Sequence, residues 1–135
     1  MKKSTQISLK TTSHTALTLI TRQVAEAVTE LEIVNGLIHI FVLHTTCGLT
    51  INENADPDVV HDLLCRLDNL APWHGSEDRH MEGNSAAHLK SSLLGSSVTV
   101  PVKSGQLVLG TWQGIFFGEF DGPRKRSVYL TAIRS

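Results

Sequence analysis

GLIHIFVLH, residues 36–44, is the stretch that decides the fold. Both alternating sets of its side chains are largely apolar, with Ile38, Ile40 and Val42 on one face and Leu37, Phe41 and Leu43 on the other. A strand that is apolar on both faces is typical of the interior of a covered sheet. We therefore expect a central strand here, covered on both sides, with His44 at the end where it feeds a loop.

One helix is predicted before this strand in the sequence, and a second is predicted after it. Residues 22–31 carry apolar side chains at helical spacing after Thr21, which is a plausible N-cap. Asp56-Pro57 combines an N-cap with a proline at the first helical position, and it starts a second helix that runs towards residue 72.

A third, shorter helix is predicted at SAAHLKSSLL, residues 85–94, and Gly95 ends it. Residues 72–84 have no apolar period and predict a loop before this helix. The expected core stripe of the helix leaves His88 beside two serines and consists of Ala86, Leu89 and Leu93.

The rest of the chain alternates in the manner of strands. Residues 4–10 predict a first strand, and turn residues after Gly95 separate four more, at 97–102, 106–110, 112–120 and 127–133. We expect these last four to form an antiparallel meander. Residues 1–135 are therefore predicted to form a single α+β domain, with a sheet or pair of sheets and about three helices.

Composition narrows the functional classes. With 12 basic and 13 acidic side chains, the formal net charge is −1, which gives no excess field to attract nucleic acid. No signal peptide or run of transmembrane length is present, so we expect no membrane partner. The only cysteines, Cys47 and Cys65, are expected to be reduced thiols in a cytoplasmic protein, and we prefer a structural role for Cys47 over a nucleophilic one.

Seven histidines are the compositional oddity, since roughly three would be ordinary for this length. His44 ends the central strand, and His80 and His88 bound HMEGNSAAH, where Asn84 and His88 lie four apart across a helix start. Three neutral imidazoles can bind zinc or a similar ion and leave a position open for water or substrate. The spacing matches no standard short metal motif, so a carbonyl-bonded His44 and a surface His88 stay open as alternatives. We interpret four other histidines as structural: His14, His39, His61 and His74.

GEFDGPRKR, residues 118–126, offers Arg124 and Arg126 for charge-assisted contacts to phosphate or carboxylate. The alternative is a charged hairpin tip. Along the strand predicted at 112–120, the alternation places Gln113 and Glu119 on one face together with apolar residues. Such a face is typical of a pocket wall or a subunit interface.

Three blocks together resemble the small YjbQ-type family, UPF0047, also called secondary thiamine-phosphate synthases, over essentially the whole chain. They are HTTCGLTINENADPDVVHDL (44–63), HMEGNSAAHLKSSLLGSSVTVPV (80–102) and GTWQGIFFGEFDGPRKR (110–126). The resemblance implies an antiparallel β-sandwich-like core, a homotrimer and a polar site lined by histidines. Its candidate site residues, carried over by position, are His44, His80, Glu82 and His88, with Asn52, Glu53, Gln113 and Arg124 in its other recurrent blocks.

The resemblance also implies an activity, which is weak thiamine-phosphate synthesis. This reaction joins a pyrimidine-methyl diphosphate to a thiazole phosphate and releases pyrophosphate. Our hypothesis is a site with a divalent metal (zinc, or magnesium or manganese) and a small phosphorylated metabolite near Arg124. A metal-dependent hydrolase of a small phosphorylated metabolite and a non-catalytic ligand-binding homotrimer stay open. The assigned roles are metal binding by His44, His80 and His88, catalysis by Glu82, Glu53 and Arg124, and substrate binding by Asn52, Asn84, Gln113 and Arg124.

Overall fold

The computed structural model describes residues 1–135, which form eight strands and three helices. None of the three helices is long and apolar enough to cross a membrane. In chain order the elements are β1 (Ser4–Lys10), β2 (Ala16–Leu19), α1 (Thr21–Glu30), β3 (Gly36–Val42), β4 (Cys47–Glu53), α2 (Pro57–Leu70), α3 (Ser85–Leu94), β5 (Ser97–Lys103), β6 (Gln106–Leu107), β7 (Gln113–Glu119) and β8 (Lys125–Arg134).

Two antiparallel sheets pack on each other. The larger has the strand order β1-β8-β3-β5-β6, and the smaller has the order β2-β7-β4. Their inner faces share one hydrophobic core of 17 buried residues, to which the larger sheet contributes Ile40 and Leu130 and the smaller Leu49 and Phe117. The predicted α+β class, with a sandwich-like antiparallel core and three helices in one domain, is confirmed.

β3 lies between β8 and β5, at the centre of the larger sheet. Its inward side chains, such as Ile38 and Ile40, are fully buried, but Leu37, Phe41 and Leu43 on the other face are 37%, 41% and 46% exposed. The prediction of cover on both sides is therefore wrong within one chain. The reason is that the helices pack elsewhere: α1 contacts β6 and β7, α2 contacts β2, and α3 contacts β4.

The C-terminal strands do not form the predicted meander. Of these four strands, only β5 and β6 pair with each other, whereas β7 pairs with β2 and β4, and β8 returns to pair with β1 and β3. The sequence did not predict β2 and β4, the two partners of β7. β2 has only four residues, and the polar side chains of β4 interrupt the alternation of apolar and polar residues that marks a strand. The four strands therefore divide between the two sheets.

The helix boundaries follow local chemistry. The Asp56 side chain accepts a hydrogen bond from Asp58 N at 2.9 Å, and Pro57 occupies the first helical position, so this predicted start is confirmed. Gly95, with φ of +97°, ends α3 as predicted. The Thr21 N-cap is wrong, because its hydroxyl accepts from Ile115 N at 2.9 Å and connects the start of α1 to β7.

The predicted core stripe of α3 is confirmed at Ala86, which is 5% exposed, but it is wrong at Leu89 and Leu93, which are 48% and 53% exposed. The helix lies instead on Gly48 of β4 and Gly118 of β7, which are a cross-strand pair in the smaller sheet. A Cβ at either glycine would come within 2.8 Å of the Leu94 side chain. Because the helix approaches the sheet backbone this closely, its buried face is made of small residues and one lysine: Ala86, Ala87, Lys90 and Ser91.

Candidate functional site

One polar cleft collects side chains from all three sequence blocks. It has a volume of about 440 Å³, and only one of its 11 lining residues is hydrophobic. We call it the histidine cleft, and its lining consists of Leu43, His44, Thr45, Thr46, His80, Glu82, Asn84, His88, Asp121, Arg124 and Arg126. The structure therefore brings together His44, His80 and His88, which are far apart in sequence.

His44 lies two residues beyond β3 and is fixed by the neighbouring strand. Its Nε2 accepts a hydrogen bond from Ser127 N at 2.8 Å, so the ring carries its proton on Nδ1. Burial, followed by the positive charge of Arg126, lowers the pKa of His44, and the charge of Glu119 opposes this only in part. His44 is therefore a neutral ring held by a backbone N–H, whereas the sequence-based alternative had a backbone carbonyl as its partner.

His80 and His88 are the accessible imidazoles of the cleft. Their rings meet edge to face with centroids 5.5 Å apart, His80 from the loop before α3 and His88 from α3 itself. Glu82 Oε1 lies 4.0 Å from His80 Nε2, and both side chains reach solvent. Imidazole and carboxylate groups are the side chains that most often serve as general acids and bases.

A buried ion pair between Arg126 and Glu119 lies beneath the cleft. Arg126 Nε and Nη2 donate to the two Glu119 oxygens at 2.8 and 2.5 Å, and Nη2 also donates to Thr46 Oγ1 at 2.9 Å. Glu119 is fully buried, and further donors reach it from Thr11 Oγ1 at 2.8 Å and Asp121 N at 3.0 Å.

Burial alone would raise the pKa of Glu119, but the hydrogen bonds from Arg126, Asp121 N and Thr11 outweigh it and lower that pKa. The same pairing raises the pKa of Arg126. The sequence gives a signal for this pair, since alternation along β7 directs Glu119 inward with Ile115, and a buried carboxylate requires a cation. The face of β7 that carries both polar and apolar side chains therefore places Glu119 beneath the cleft and does not line it.

Asp121 links two elements of the cleft. Its Oδ2 accepts from Asn84 Nδ2 at 2.9 Å and lies 3.4 Å from Arg124 Nη2, and its carbonyl oxygen accepts from Arg124 Nε at 2.9 Å. Asn84 is 5% exposed, and its Oδ1 is buried without a hydrogen-bond partner. The bond between Asp121 and Asn84 did not follow from the sequence, because the two residues are 37 positions apart.

Three predicted site residues do not reach the cleft. Glu53 pairs with Gln113 at one end of β4 and β7, and the Cys47–Glu119 pair beside the cleft lies six positions away. That separation corresponds to roughly 20 Å along the strands. Gln113 Oε1 accepts from Gly110 N, and Asn52 Oδ1 accepts from Glu53 N. The predicted catalytic role of Glu53 and the substrate-binding roles of Asn52 and Gln113 therefore have no counterpart at the cleft of one chain.

The cleft does not fit the predicted three-histidine metal site. No group of three or more His, Cys, Asp or Glu side chains is arranged to hold a metal ion. The Nε2 lone pair of His44 already accepts the Ser127 N–H, so this nitrogen is not free to act as a ligand. We therefore assign no chemical step to a metal.

Cys47 borders the cleft as a buried thiol. Its Sγ donates to Glu119 Oε2 at 3.7 Å, and its exposed fraction is 2%. Burial, reinforced by the negative charge of Glu119, raises the pKa of the Cys47 thiol to about 12. The thiolate is the nucleophilic form, so this geometry agrees with a structural role.

Comparison with known proteins finds similar chains at nearly full length. Residues 5–135 match the model of a family described as UPF0047 protein YjbQ-like. The UPF0047 protein YugU of Bacillus subtilis (strain 168) is 54% identical over 124 residues, which cover 92% of this chain and 94% of that protein.

Solved structures extend the similarity to three dimensions. An uncharacterised conserved protein of the YjbQ/UPF0047 family from Clostridium acetobutylicum has a TM-score of 0.92 at 50% identity, over 96% of this chain and 99% of that chain. A conserved hypothetical protein from Thermus thermophilus has a TM-score of 0.90 at 46% identity, also over 96% and 99%. The fold described above is thus shared along almost the entire length.

Proposed function

Because the chain belongs to the YjbQ-like UPF0047 family, we propose that it is a small-metabolite enzyme that binds a phosphorylated substrate in the histidine cleft. The observation that carries the proposal is the convergence of three histidines and two arginines in one polar cleft. The guanidinium of Arg124 is about half exposed and can turn towards an anion. The N-terminus of α3, which no side chain caps, adds a partial positive charge.

The specific reaction that we propose is thiamine-phosphate synthesis. The thiazole nitrogen attacks the methylene carbon of the pyrimidine, and the bond from that carbon to the diphosphate oxygen breaks, so that pyrophosphate leaves with the electron pair. Arg124 and the α3 N-terminus stabilise the charge that accumulates on the leaving group. His80 or His88 supplies a proton to it, and Glu82 positions the second substrate or the donor imidazole.

The test is an assay of purified protein with both phosphorylated substrates, in which thiamine phosphate and pyrophosphate are quantified together. Arg124→Ala should lower turnover by about a hundredfold or more, as is usual when one donor to a developing anion is lost. Arg66→Ala, on the exposed side of α2, is the matched control and should leave turnover unchanged. Absence of thiamine phosphate with the wild-type protein would refute the synthase.

A hydrolase is the second candidate, because Glu82 and His80 lie 4.0 Å apart at the solvent side of the cleft and can activate water. Release of phosphate with water as the only second substrate would identify it. The third candidate, a non-catalytic ligand-binding homotrimer, would bind phosphorylated compounds tightly without turnover.

The divalent metal (zinc, magnesium or manganese) stays a prediction. Metal analysis of the untagged protein beside His88→Ala tests it, with His61→Ala on the exposed face of α2 as the control. About one ion per chain, lost only in His88→Ala, would support a metal. No bound ion after supplementation would refute it.

A cytoplasmic location also stays a prediction, and the free thiols of Cys47 and Cys65 are compatible with a reducing compartment.

We also propose that the protein forms a homotrimer. The open face of β3 and β8 carries two apolar cross-strand pairs, Leu37 with Ile133 and Phe41 with Tyr129, and every one of these side chains is at least 37% exposed. Such a surface is typical of a subunit interface, and Leu43 extends it to the rim of the histidine cleft.

Light scattering after gel filtration measures the mass of the assembly directly. We expect about three chains per particle for the wild type and fewer for a Phe41→Glu variant. Val34→Glu is the control, because Val34 is 60% exposed and lies outside β3 and β8. A monomeric wild-type protein would refute the trimer.

A further inference from the structure

The histidine cleft contains acceptors as well as donors. Two arginines and two carboxylates, Glu82 and Asp121, line it, so its fixed formal charges balance. Arg126 is further neutralised by the buried Glu119 carboxylate. A cleft with balanced charge is poorly suited to a ligand that is only an anion, because each carboxylate repels it.

Asn84 carries an acceptor atom that no group of the protein uses. Asparagine at an N-cap normally accepts a hydrogen bond from the first turn of its helix. Asn84 is the N-cap of α3, yet its side chain makes no capping bond and its amide nitrogen donates to Asp121 Oδ2 instead. Its Oδ1, in a residue that is 95% buried, is left without a partner, which costs folding free energy unless a donor meets it.

Asp121 supplies a second acceptor beside the first. Its Oδ2 bonds Asn84 and faces Arg124. Its Oδ1 accepts no hydrogen bond and lies 3.7 Å from Nε2 of His14, a residue that lines a neighbouring pocket with Asp121. The Asp121 side chain is 16% exposed, so a ligand atom can reach it. Asn84 and Asp121 are joined by a hydrogen bond and line the cleft together with Arg124 and the two accessible imidazoles. We call Asn84 Oδ1 and the Asp121 carboxylate the acceptor pair.

We propose that the cleft also accepts alkyl phosphates that carry a hydrogen-bond donor, either an ammonium or a hydroxyl group. The phosphate faces Arg124, and the donor group binds the acceptor pair of Asn84 and Asp121. An ammonium fits better than a hydroxyl, because the pair includes a carboxylate. This inference rests on the proposed function only in taking the phosphate-binding role of the cleft as given, and it adds a ligand class beyond the two substrates of the synthase reaction.

Three ligands that differ in one terminal group test the inference on the wild-type protein: ethyl phosphate, hydroxyethyl phosphate and aminoethyl phosphate. Titration calorimetry at pH 7 should give the tightest binding for aminoethyl phosphate, about tenfold tighter than ethyl phosphate, with hydroxyethyl phosphate between them. A purely cationic cleft gives the opposite order, because the ammonium lowers the net negative charge of the ligand.

Variants then locate the effect. Asn84→Ala should remove most of the preference for aminoethyl phosphate, and Asp121→Asn provides a second variant if the first does not fold. Asn69→Ala, on the exposed side of α2, is the matched control and should keep the preference. Equal binding of the three ligands by the wild-type protein would overturn this inference alone. Binding of none of them would refute the phosphate-binding cleft itself, and with it the inference.

Discussion

Replacement of Glu119 by glutamine should destabilise the protein strongly, because it removes the carboxylate that pairs with the buried Arg126 guanidinium. Both side chains are at least 95% buried, and two hydrogen bonds join them. Removal of one partner of a buried ion pair costs about 3–5 kcal/mol. With a urea m-value of about 2 kcal/mol/M, a loss of about 4 kcal/mol lowers the unfolding midpoint by about 2 M.

The assay is urea unfolding followed by circular dichroism, at one fixed protein concentration so that any subunit association is held constant. Glu26→Gln is the matched control, because Glu26 pairs with Arg22 at 3.0 Å on the exposed face of α1. That variant should lose far less stability, since exposed pairs contribute little. Equal midpoints for Glu119→Gln and Glu26→Gln would refute the reasoning.

A double replacement, Glu119→Leu with Arg126→Met, separates charge from packing. It removes both charges together, so no uncompensated ion stays in the core, and it should recover much of the stability lost in Glu119→Gln. If the double variant is no more stable than the single one, the loss comes from packing around β7 and not from the unpaired charge.

Three further predictions concern titration and pairing. Since the folded state lowers the pKa of His44 below its ordinary 6.5, stability should fall as the pH drops below that value. In unfolding titrations, His44→Gln should reduce this slope by at most about 1.4 kcal/mol per pH unit, and identical slopes would contradict the partly buried neutral ring. Lys90→Met should cost much less than Glu119→Gln, because the partner of Lys90, Asp68, is 64% exposed and returns to water; a comparable loss in melting experiments would show otherwise. In thiol labelling at pH 8, Cys65 should react at once and Cys47 only after denaturation, and simultaneous labelling of both would contradict the burial of Cys47.

The sequence predicts the local elements of this fold better than their pairing. The alternation of residues 36–44 identifies β3, and Asp56-Pro57 and Gly95 place helix ends, because each signal depends on neighbouring residues. The division of β7 and β8 between two sheets depends on contacts with β2 and β4 on one side and β1 and β3 on the other. Such long-range pairing leaves no local mark in a single sequence.

The same distinction holds for the candidate site. His44, His80 and His88 stand out by residue type and by their positions at element ends, and the structure places them in one cleft. Glu53 belongs to a sequence block that also contributes residues to the cleft. It lies at the far end of the seven-residue strand β4, however, away from the end that borders the cleft. Membership of a motif therefore does not establish proximity, because an extended chain covers about 20 Å in six residues.

The contact of α3 with Gly48 and Gly118 also bears on how the cleft can change. The helix carries Asn84 at its start and His88 one turn later, and Arg124 stands on a separate loop. An added methyl group at Gly48 would push the helix outward, because it would come within 2.8 Å of Leu94 Cβ and 3.0 Å of the Gly95 carbonyl oxygen. At Gly118 it would meet Leu94 Cδ2, the rotatable end of that side chain. The gap across the cleft therefore depends on Gly48, a residue that does not line it. Ligand size preference can shift through a change in helix-to-sheet spacing while every lining side chain is retained.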